Sequence, residues 1–382
     1  MNTRIKKLRQ IDYLFVIVLT AYAFDFGNIK YALAWVFTGM ILLSLLSKGE
    51  FHIDDIEKPF FGLLGAISFL FAITAVLQII NGFNLYALNE VIYFYTPILF
   101  IIAYARVSKE ENISQVMDWS FFIYCVAFFT VNMSKLSIDN ILSINFAKSY
   151  SPFESEMAFI FLIFECFFLM KGKNKKALIS ILFCVLCFKR ICVISAILIY
   201  AFRKVIFIEK EVQKNYVIIV SAFFVVMPVL TCMILTPEFE AWFYKQFGIT
   251  LYEITVSRSQ RLEMVLNSDE IKYGLGSVTT FMTNSLNAMH GSNFGHRSLH
   301  NDLVQIYLEC GLLGSIVFTY GFVKVSAFSR GMFVLMCYIF LECYFNHLFG
   351  AGCTQIWILI YMCIAYASAR NRSINKEELW NV

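Results

Sequence analysis

Long apolar runs separated by short polar segments form the main pattern along this chain. A helix that crosses a membrane needs roughly 20 mostly apolar residues. The pattern predicts twelve spans, although Pro97 interrupts the fourth and Lys189-Arg190 divides the seventh from the eighth, so that this pair forms two helices or one broken element. The predicted spans are centred near residues 18, 37, 70, 97, 124, 163, 182, 198, 226, 313, 338 and 361.

One polar segment, 237–302, is too long for a simple connector. It begins with Glu238–Lys245, whose aromatic and charged side chains predict an amphipathic helix at a lipid interface. Long loops in compact proteins usually carry function. We therefore predict an all-α polytopic membrane protein in three parts: an N-terminal bundle of about nine spans (1–236), a large loop with catalytic residues (237–302), and three further spans with a tail (303–382).

Composition agrees with a lipid environment. Apolar residues make up 59% of the 382 positions and charged residues only 15%, whereas about 25% charge is usual in soluble domains. The net charge of +4 comes from scattered basic residues, which argues against a nucleic-acid partner. The 11 cysteines lie almost entirely in apolar stretches, which is typical of small apolar fillers rather than of metal ligands or disulfides.

The basic residues predict an orientation, because cytoplasmic loops carry an excess of Lys and Arg. With the N-terminus in the cytoplasm, the inside segments hold 21 of the 31 basic residues and the outside segments hold 10. This bias predicts that both termini are cytoplasmic and that segment 237–302 lies on the outer side.

Candidate chemistry concentrates between Ser257 and Gly314. Arginine suits phosphate recognition because its guanidinium stays charged and offers a planar fork of donors. Glycines allow a close backbone approach to a ligand, and a histidine just before a span is suited to act as a base at the membrane boundary. The candidates are Arg258, Arg261, Gly274, Gly276, His296, Arg297, His300, Asn301 and Glu309.

Each candidate also has a plainer interpretation. The arginines would serve equally as snorkelling or surface charges, and the histidines as interfacial polar residues. Glu309 is a carboxylate inside an apolar run, so it is either functional or structurally paired. We favour a supporting role in which Glu309 bonds the loop backbone and holds His300 and Asn301 in place.

Charges elsewhere leave alternatives open. Arg190 follows Lys189 on the outer side, against the positive-inside bias, and is either part of a surface turn or a fixed cation that faces a diphosphate. Glu165 lies in the middle of a span, as in a proton-coupled transporter or an internal salt bridge. Glu154 and Glu156, at the outer mouth of the sixth span, are alternative bases.

The run from His300-Asn301 through Glu309, Gly311 and Gly314 resembles the "HN…E.G..G" signature of the O-antigen polymerase and O-antigen ligase superfamily of bacterial membrane glycosyltransferases. Further upstream, the arginines at 258 and 261 and the glycines at 274 and 276 look like the family's "R…G.G" stretch. Phe188-Lys189-Arg190 is similar to its "SR" element, with Lys189 where the family usually has Ser. The resemblance covers about residues 177–325.

The resemblance implies glycosyl transfer without metal or other cofactor at the outer face of the bacterial inner membrane, from an oligosaccharide on undecaprenyl diphosphate. His300 would be the base, with Arg258 and Arg261 as catalytic cations. The implied diphosphate- or sugar-binding residues are Arg190, Gly274, Gly276, His296, Arg297 and Asn301. We favour a polymerase over a ligase that transfers the glycan to lipid A–core. A flippase for the same lipid-linked oligosaccharide is the alternative of another class.

The same resemblance implies the partners. These are the lipid-linked oligosaccharide, the membrane lipid and, in the cell, a chain-length regulator and a flippase. The product would be O-antigen, capsular polysaccharide or exopolysaccharide, since the motifs carry no information about the sugars.

Overall fold

A computed structural model describes residues 9–47, 58–145, 151–207, 211–250, 258–271, 273–290, 299–350 and 353–380. The prediction of an all-α fold is confirmed for these residues, whose regular secondary structure is helical throughout. The α-helices are α1 (Gln10–Ala23), α2 (Ile29–Ser47), α3 (Lys58–Asn81), α4 (Leu85–Val107), α5 (Glu110–Asn132), α6 (Ile138–Leu142), α7 (Met157–Met170), α8 (Asn174–Cys187), α9 (Arg190–Ala201), α10 (Arg203–Ile206), α11 (Lys214–Ile234), α12 (Pro237–Phe247), α13 (Arg258–Leu266), α14 (Ser277–His290), α15 (Asp302–Ser326), α16 (Arg330–Phe345) and α17 (Thr354–Trp380).

Each of the twelve predicted span centres falls within a helix. Among the described residues, five helices are long and apolar enough to cross a membrane, namely α3, α5, α11, α15 and α4 from Asn89 onward. Helix α4 continues through Pro97, and α8 and α9 are two helices joined by a tight turn. The helix predicted at Glu238–Lys245 is confirmed as α12, which Thr236 caps by accepting a hydrogen bond from the Phe239 amide.

The burial of the helices separates a core from a periphery. Helix α7 is buried along Ala158–Leu169, and it packs against α8, α9 and α17. By contrast, only 28% of the most apolar window of α3 and of α11 is buried, and side chains such as Ile79 and Met233 are more than two-thirds exposed. Apolar faces of this extent are stable in lipid and not in water.

Contacts among loops and helix ends join segments for which the sequence predicts the same side of a membrane. At one end, Arg9 donates to Ser108, the Val212 amide donates to the Ala327 carbonyl, and Lys171, Lys173 and Lys176 surround Asp118. At the other end, Asn84 contacts Thr280, Lys189 contacts Glu154, and His347 contacts Asp302. Helices that alternate in direction produce this segregation.

Helices α13 and α14 pack onto the start of α15 and fix the residues that precede it. Their contact is a small apolar cluster separate from the main core, formed by Leu262, Val265, Val278, Met282, Leu299 and Val304. Helix α15 itself bends at Gly311, whose φ of 69° and ψ of −175° interrupt the helical backbone. The segment 302–310 therefore follows α13 and α14, while the segment after the bend packs along α3.

Candidate functional site

A cavity of about 420 Å³ lies where several helix ends meet. Its walls come from the turn between α8 and α9, the end of α11, helix α13, the residues just before α15, and the end of α16. All these segments lie at the end of the molecule for which the sequence predicts the outer side. Two residues predicted from separate motifs, Arg190 and His300, both line this cavity.

His300 reaches the cavity through an unusual backbone conformation. Its φ is +57°, a left-handed value that is uncommon for residues other than glycine. The next residue, Asn301, caps α15, because its side-chain oxygen accepts a hydrogen bond of 3.0 Å from the Val304 amide. The left-handed backbone of His300 and the cap at Asn301 turn the chain into α15. His300 is half-buried there and lines the cavity.

The turn between α8 and α9 brings two cations to the cavity. Phe188 has a φ of +45° and ends α8, so that Lys189 and Arg190 follow in the turn. Lys189 is paired, with its Nζ atom 2.7 Å from Glu154 Oε1. Arg190 is exposed, and within the described part of the chain its guanidinium forms no hydrogen bond or ion pair. Arg190 is therefore the cation in this wall that is available to an anionic ligand.

Helix α13 contributes a third wall. Ser259 and Leu262 line the cavity, and Arg261 lies between them in sequence as a half-buried residue that does not itself line it. The α13 backbone begins at Arg258, but the Arg258 side chain and residues Ser257, His296 and Arg297 lie outside the described residues. The structure thus brings His300, Asn301 and Arg190 to one cavity. Arg261 is adjacent in sequence to Leu262, which lines the same cavity.

The glycine turn lies elsewhere and has a packing role. Gly274 has a φ of +82°, and a Cβ atom added to it would lie 2.7 Å from the Thr74 Cα atom of α3. The Leu275 amide donates to Thr74 Oγ1 at 3.1 Å. Neither Gly274 nor Gly276 belongs to the described cavity wall. The absence of a side chain at Gly274 therefore allows the turn to pack closely against α3. The substrate contact expected of Gly274 and Gly276 stays a prediction.

Glu309 is buried with its carboxylate against the same region. Its Oε1 atom accepts hydrogen bonds from the Val278 amide at 2.8 Å and from Gln305 Nε2 at 3.3 Å. Val278 lies in the first turn of α14, where an anion is favoured by the exposed amides and the helix dipole. Glu309 therefore bonds backbone of the segment between α12 and α15, as the predicted supporting role requires. The bonded backbone is the first turn of α14, whereas the prediction was the turn that contains His300 and Asn301. The seven helical steps from Asp302 to Glu309 place Glu309 about 10 Å along the axis from the start of α15, which directly follows His300-Asn301.

Helix α16 adds a carboxylate that the motifs do not include. Glu342 lines the cavity although it is fully buried by surrounding protein. Its Oε1 accepts from the Tyr338 hydroxyl at 2.9 Å, and its Oε2 accepts from Asn346 Nδ2 at 2.5 Å. In the sequence, Glu342 is a carboxylate within an apolar run, a pattern that indicates a functional or paired residue. The pattern does not indicate which cavity or partner the side chain contacts.

Asp302 fastens the start of α15 to the segment after α16. Its carboxylate accepts from the backbone amides of Leu348 at 2.5 Å and Phe349 at 3.0 Å, and it lies 2.5 Å from His347 Nδ1. Burial alone lowers the pKa of His347, but the adjacent Asp302 carboxylate, with Glu90 and Glu156 nearby, raises that pKa to about 9. Since Asp302 directly follows His300-Asn301, this ion pair also fixes the backbone of the cavity wall.

The arrangement can bind an anion and move a proton. Arg190 offers guanidinium donors, His300 offers an imidazole of the kind that serves as a general base, and Ile191 and Leu235 provide apolar wall. Among the described residues, no group of three or more His, Cys, Asp or Glu side chains is arranged to hold a metal ion.

No protein-family model, curated protein or solved structure matches this chain.

Proposed function

We propose that this protein is a membrane glycosyltransferase that joins undecaprenyl-diphosphate-linked oligosaccharide repeat units into a longer polysaccharide. The observation that carries the proposal is that His300 and the available cation Arg190 line one cavity. They are 110 positions apart in sequence, and each belongs to a motif that resembles the same superfamily. The apolar Ile191 and Leu235 in the same wall suit a ligand that is partly lipid.

The residues have distinct roles in the proposed reaction. Arg190, with Arg258 and Arg261, holds the diphosphate of the donor and stabilises the charge that grows on it as the glycosidic carbon–oxygen bond breaks. His300 takes the proton of the acceptor hydroxyl while the acceptor oxygen bonds to the same sugar carbon. The electron pair of the broken bond leaves with the lipid diphosphate. Asn301, Arg297 and His296 complete the sugar or phosphate contacts, and Glu309 holds the neighbouring α14.

We further propose twelve spans in the inner membrane, with both termini in the cytoplasm and the cavity at the outer face. The distribution of basic residues, 21 of 31 in the proposed inside segments, supports this orientation. The contacts of Lys189 with Glu154 and of His347 with Asp302 support a common side for the loops around the cavity. A lipid-linked donor assembled on the carrier would then meet the site at the water–lipid boundary.

The test is deletion of the gene, followed by a gel that resolves the chain length of glycans extracted with their lipid carriers. A polymerase predicts that only single repeat units remain, on carrier or on lipid A–core. Long chains stranded on undecaprenyl diphosphate would instead identify a ligase. An unchanged ladder with normal attachment contradicts both.

Complementation of the deletion locates the activity within the chain. Arg190→Ala is expected to leave single repeat units, because the diphosphate loses one of its three proposed cations, and Arg190 is the one of them found in the described cavity wall. Arg330→Ala is the matched control, since Arg330 also begins a helix but lines a different cavity at the opposite end of the molecule. Equal ladders from the two variants would remove Arg190 from the proposed site.

A proton-coupled transporter of the same lipid-linked oligosaccharide is a second candidate, favoured by Glu165. This carboxylate is fully buried in α7, and neither of its oxygens has a hydrogen-bond partner among the described residues. Glu165→Gln keeps the shape and removes the titratable proton. A transporter predicts loss of activity in this variant, whereas the polymerase predicts that the glycan ladder is retained.

A further inference from the structure

A groove between α3 and α15 lies at the other end of α15 from the candidate site. Gly314 lies against Leu70 and Gly321 lies against Ala66, so the two helices run antiparallel. At the second contact, a Cβ atom on Gly321 would lie 2.8 Å from that of Ala66. Beside this contact, towards the start of α3, the helices enclose about 500 Å³. This volume is in the range of small-molecule sites, roughly 300–1,000 Å³.

The groove is mostly apolar and open at the side. Leu63 and Val325 form part of its floor, and Ile316, which also lines it, is 43% exposed on the outside of the bundle. Gly62 lines the groove as well, and a Cβ atom added to it would meet no atom within 4 Å. An acyl chain could therefore enter from the surrounding lipid without any rearrangement of the helices.

Positive charge marks one end of this groove. Lys58 begins α3 and Lys324 lies in the last turn of α15, and both line the groove. The Lys324 Nζ atom lies 5.6 Å from the centre of the Tyr320 ring and is exposed, and among the described residues it has no carboxylate partner. The basic residues of the chain predict the cytoplasmic side for this end. Basic pockets between membrane helices on that side are suited to anionic lipid headgroups.

We propose that this groove binds one anionic phospholipid, with its phosphate at Lys58 and Lys324 and an acyl chain along Leu63, Ala66 and Ile316. The charge of the mouth complements the headgroup, and the apolar walls complement the chain. This inference does not depend on the catalytic proposal, because it concerns only the opposite end of α3 and α15.

The test is native mass spectrometry of the purified full chain, titrated with phosphatidylglycerol or with phosphatidylcholine of the same acyl chains. The wild-type protein is expected to retain one phosphatidylglycerol in preference to phosphatidylcholine. Lys324→Gln is expected to weaken phosphatidylglycerol retention by about fivefold and to leave phosphatidylcholine unchanged. Lys175→Gln removes another exposed lysine outside this groove and is expected to have no effect.

A pair of glycine variants tests the groove itself. Gly62→Leu places a side chain in the groove. Gly65→Leu is the control, because Gly65 lies three residues further along α3 and does not line the groove. A Cβ atom at either glycine would meet no atom within 4 Å. Loss of the retained lipid in Gly62→Leu alone is the expected result. Equal retention in both variants, or equal binding of the two phospholipids by the wild type, would overturn the proposal. Conversion of a dimer to a monomer by Gly62→Leu, with lipid retention unchanged, would assign the groove to a second copy instead.

Discussion

At the scale of the residue, the close contact between Gly274 and α3 predicts that a side chain at this position lowers stability. Ala at Gly274 is expected to cost about 2–5 kcal/mol, because a left-handed conformation costs about 1–2 kcal/mol and a forced overlap adds about 1–3 kcal/mol. The overlap is with Thr74 backbone, which cannot rotate away. Gly172→Ala is the control, since Gly172 has a φ of +67° and open space around it. Thermal unfolding in detergent should show the Gly274 variant less stable than the Gly172 variant, and equal stabilities would contradict the packing role.

The ion pair of His347 predicts a pH dependence of stability. The pKa of His347 is about 9 in the folded protein and 6.5 in an unfolded chain. The folded state therefore binds the proton more tightly, and the stabilisation is complete below about pH 6.5 and is lost as the pH rises through about 9. At about 1.4 kcal/mol per pH unit, the loss approaches about 3 kcal/mol.

Unfolding midpoints of the wild type and of His347→Gln, measured between pH 6 and 10, check this. The difference between the two proteins should shrink as the pH rises, because Gln carries no proton to lose. A constant difference across this range would show that the pair with Asp302 is not charged.

The residue scale also shows what a single sequence could and could not predict about the site. Arg190 and His300 were identified from local motifs, and both line the cavity. Glu342 and Asn346 were not assigned to the site, because only the packing of α16 beside α15 brings them to the cavity that His300 lines. Likewise, nothing near Gly274 in sequence reveals that its neighbour is Thr74, two hundred positions away.

At the scale of the element, the bend in α15 depends on Gly311. Its φ and ψ of 69° and −175° belong to a region that is essentially restricted to glycine and costs other residues about 1–3 kcal/mol. Gly311→Ala is expected to lower stability by that amount although no atom blocks its Cβ. Gly65→Ala, in regular helix with equally open space, should be neutral or stabilising by up to about 1 kcal/mol. If both variants unfold at the same temperature, α15 does not require the bend.

Elements were more predictable than their ends. The centres of the twelve apolar runs all fall within helices, because a long apolar run favours a continuous helix in lipid. Among the described residues, five of these helices are long and apolar enough to cross a membrane, and the prediction of twelve spans stays a prediction. The apolar runs did not indicate the bend at Gly311, since glycine also occurs in straight helices such as α3. The turn between α8 and α9 was left open between two arrangements, and the left-handed Phe188 that decides it has no sequence signature of its own.

At the scale of the whole molecule, the two ends of the bundle should face different compartments. Asp139→Cys and Lys175→Cys introduce exposed thiols in loops predicted outside and inside, respectively. A membrane-impermeant maleimide added to intact spheroplasts should label the first and not the second, with the wild type as the background for its own cysteines. Labelling of both without permeabilisation, or of Lys175→Cys alone, would contradict the proposed orientation.

The central claim is that the cavity performs glycosyl transfer with His300 as the base. The most direct measurement is single-turnover elongation by purified protein supplied with a lipid-linked repeat unit, with donor binding measured in parallel for the wild type and His300→Ala. Removal of a general base typically costs about 10²–10⁴-fold in rate. We predict a loss of that size with donor binding and unfolding temperature unchanged. Elongation by His300→Ala at the wild-type rate would contradict the account.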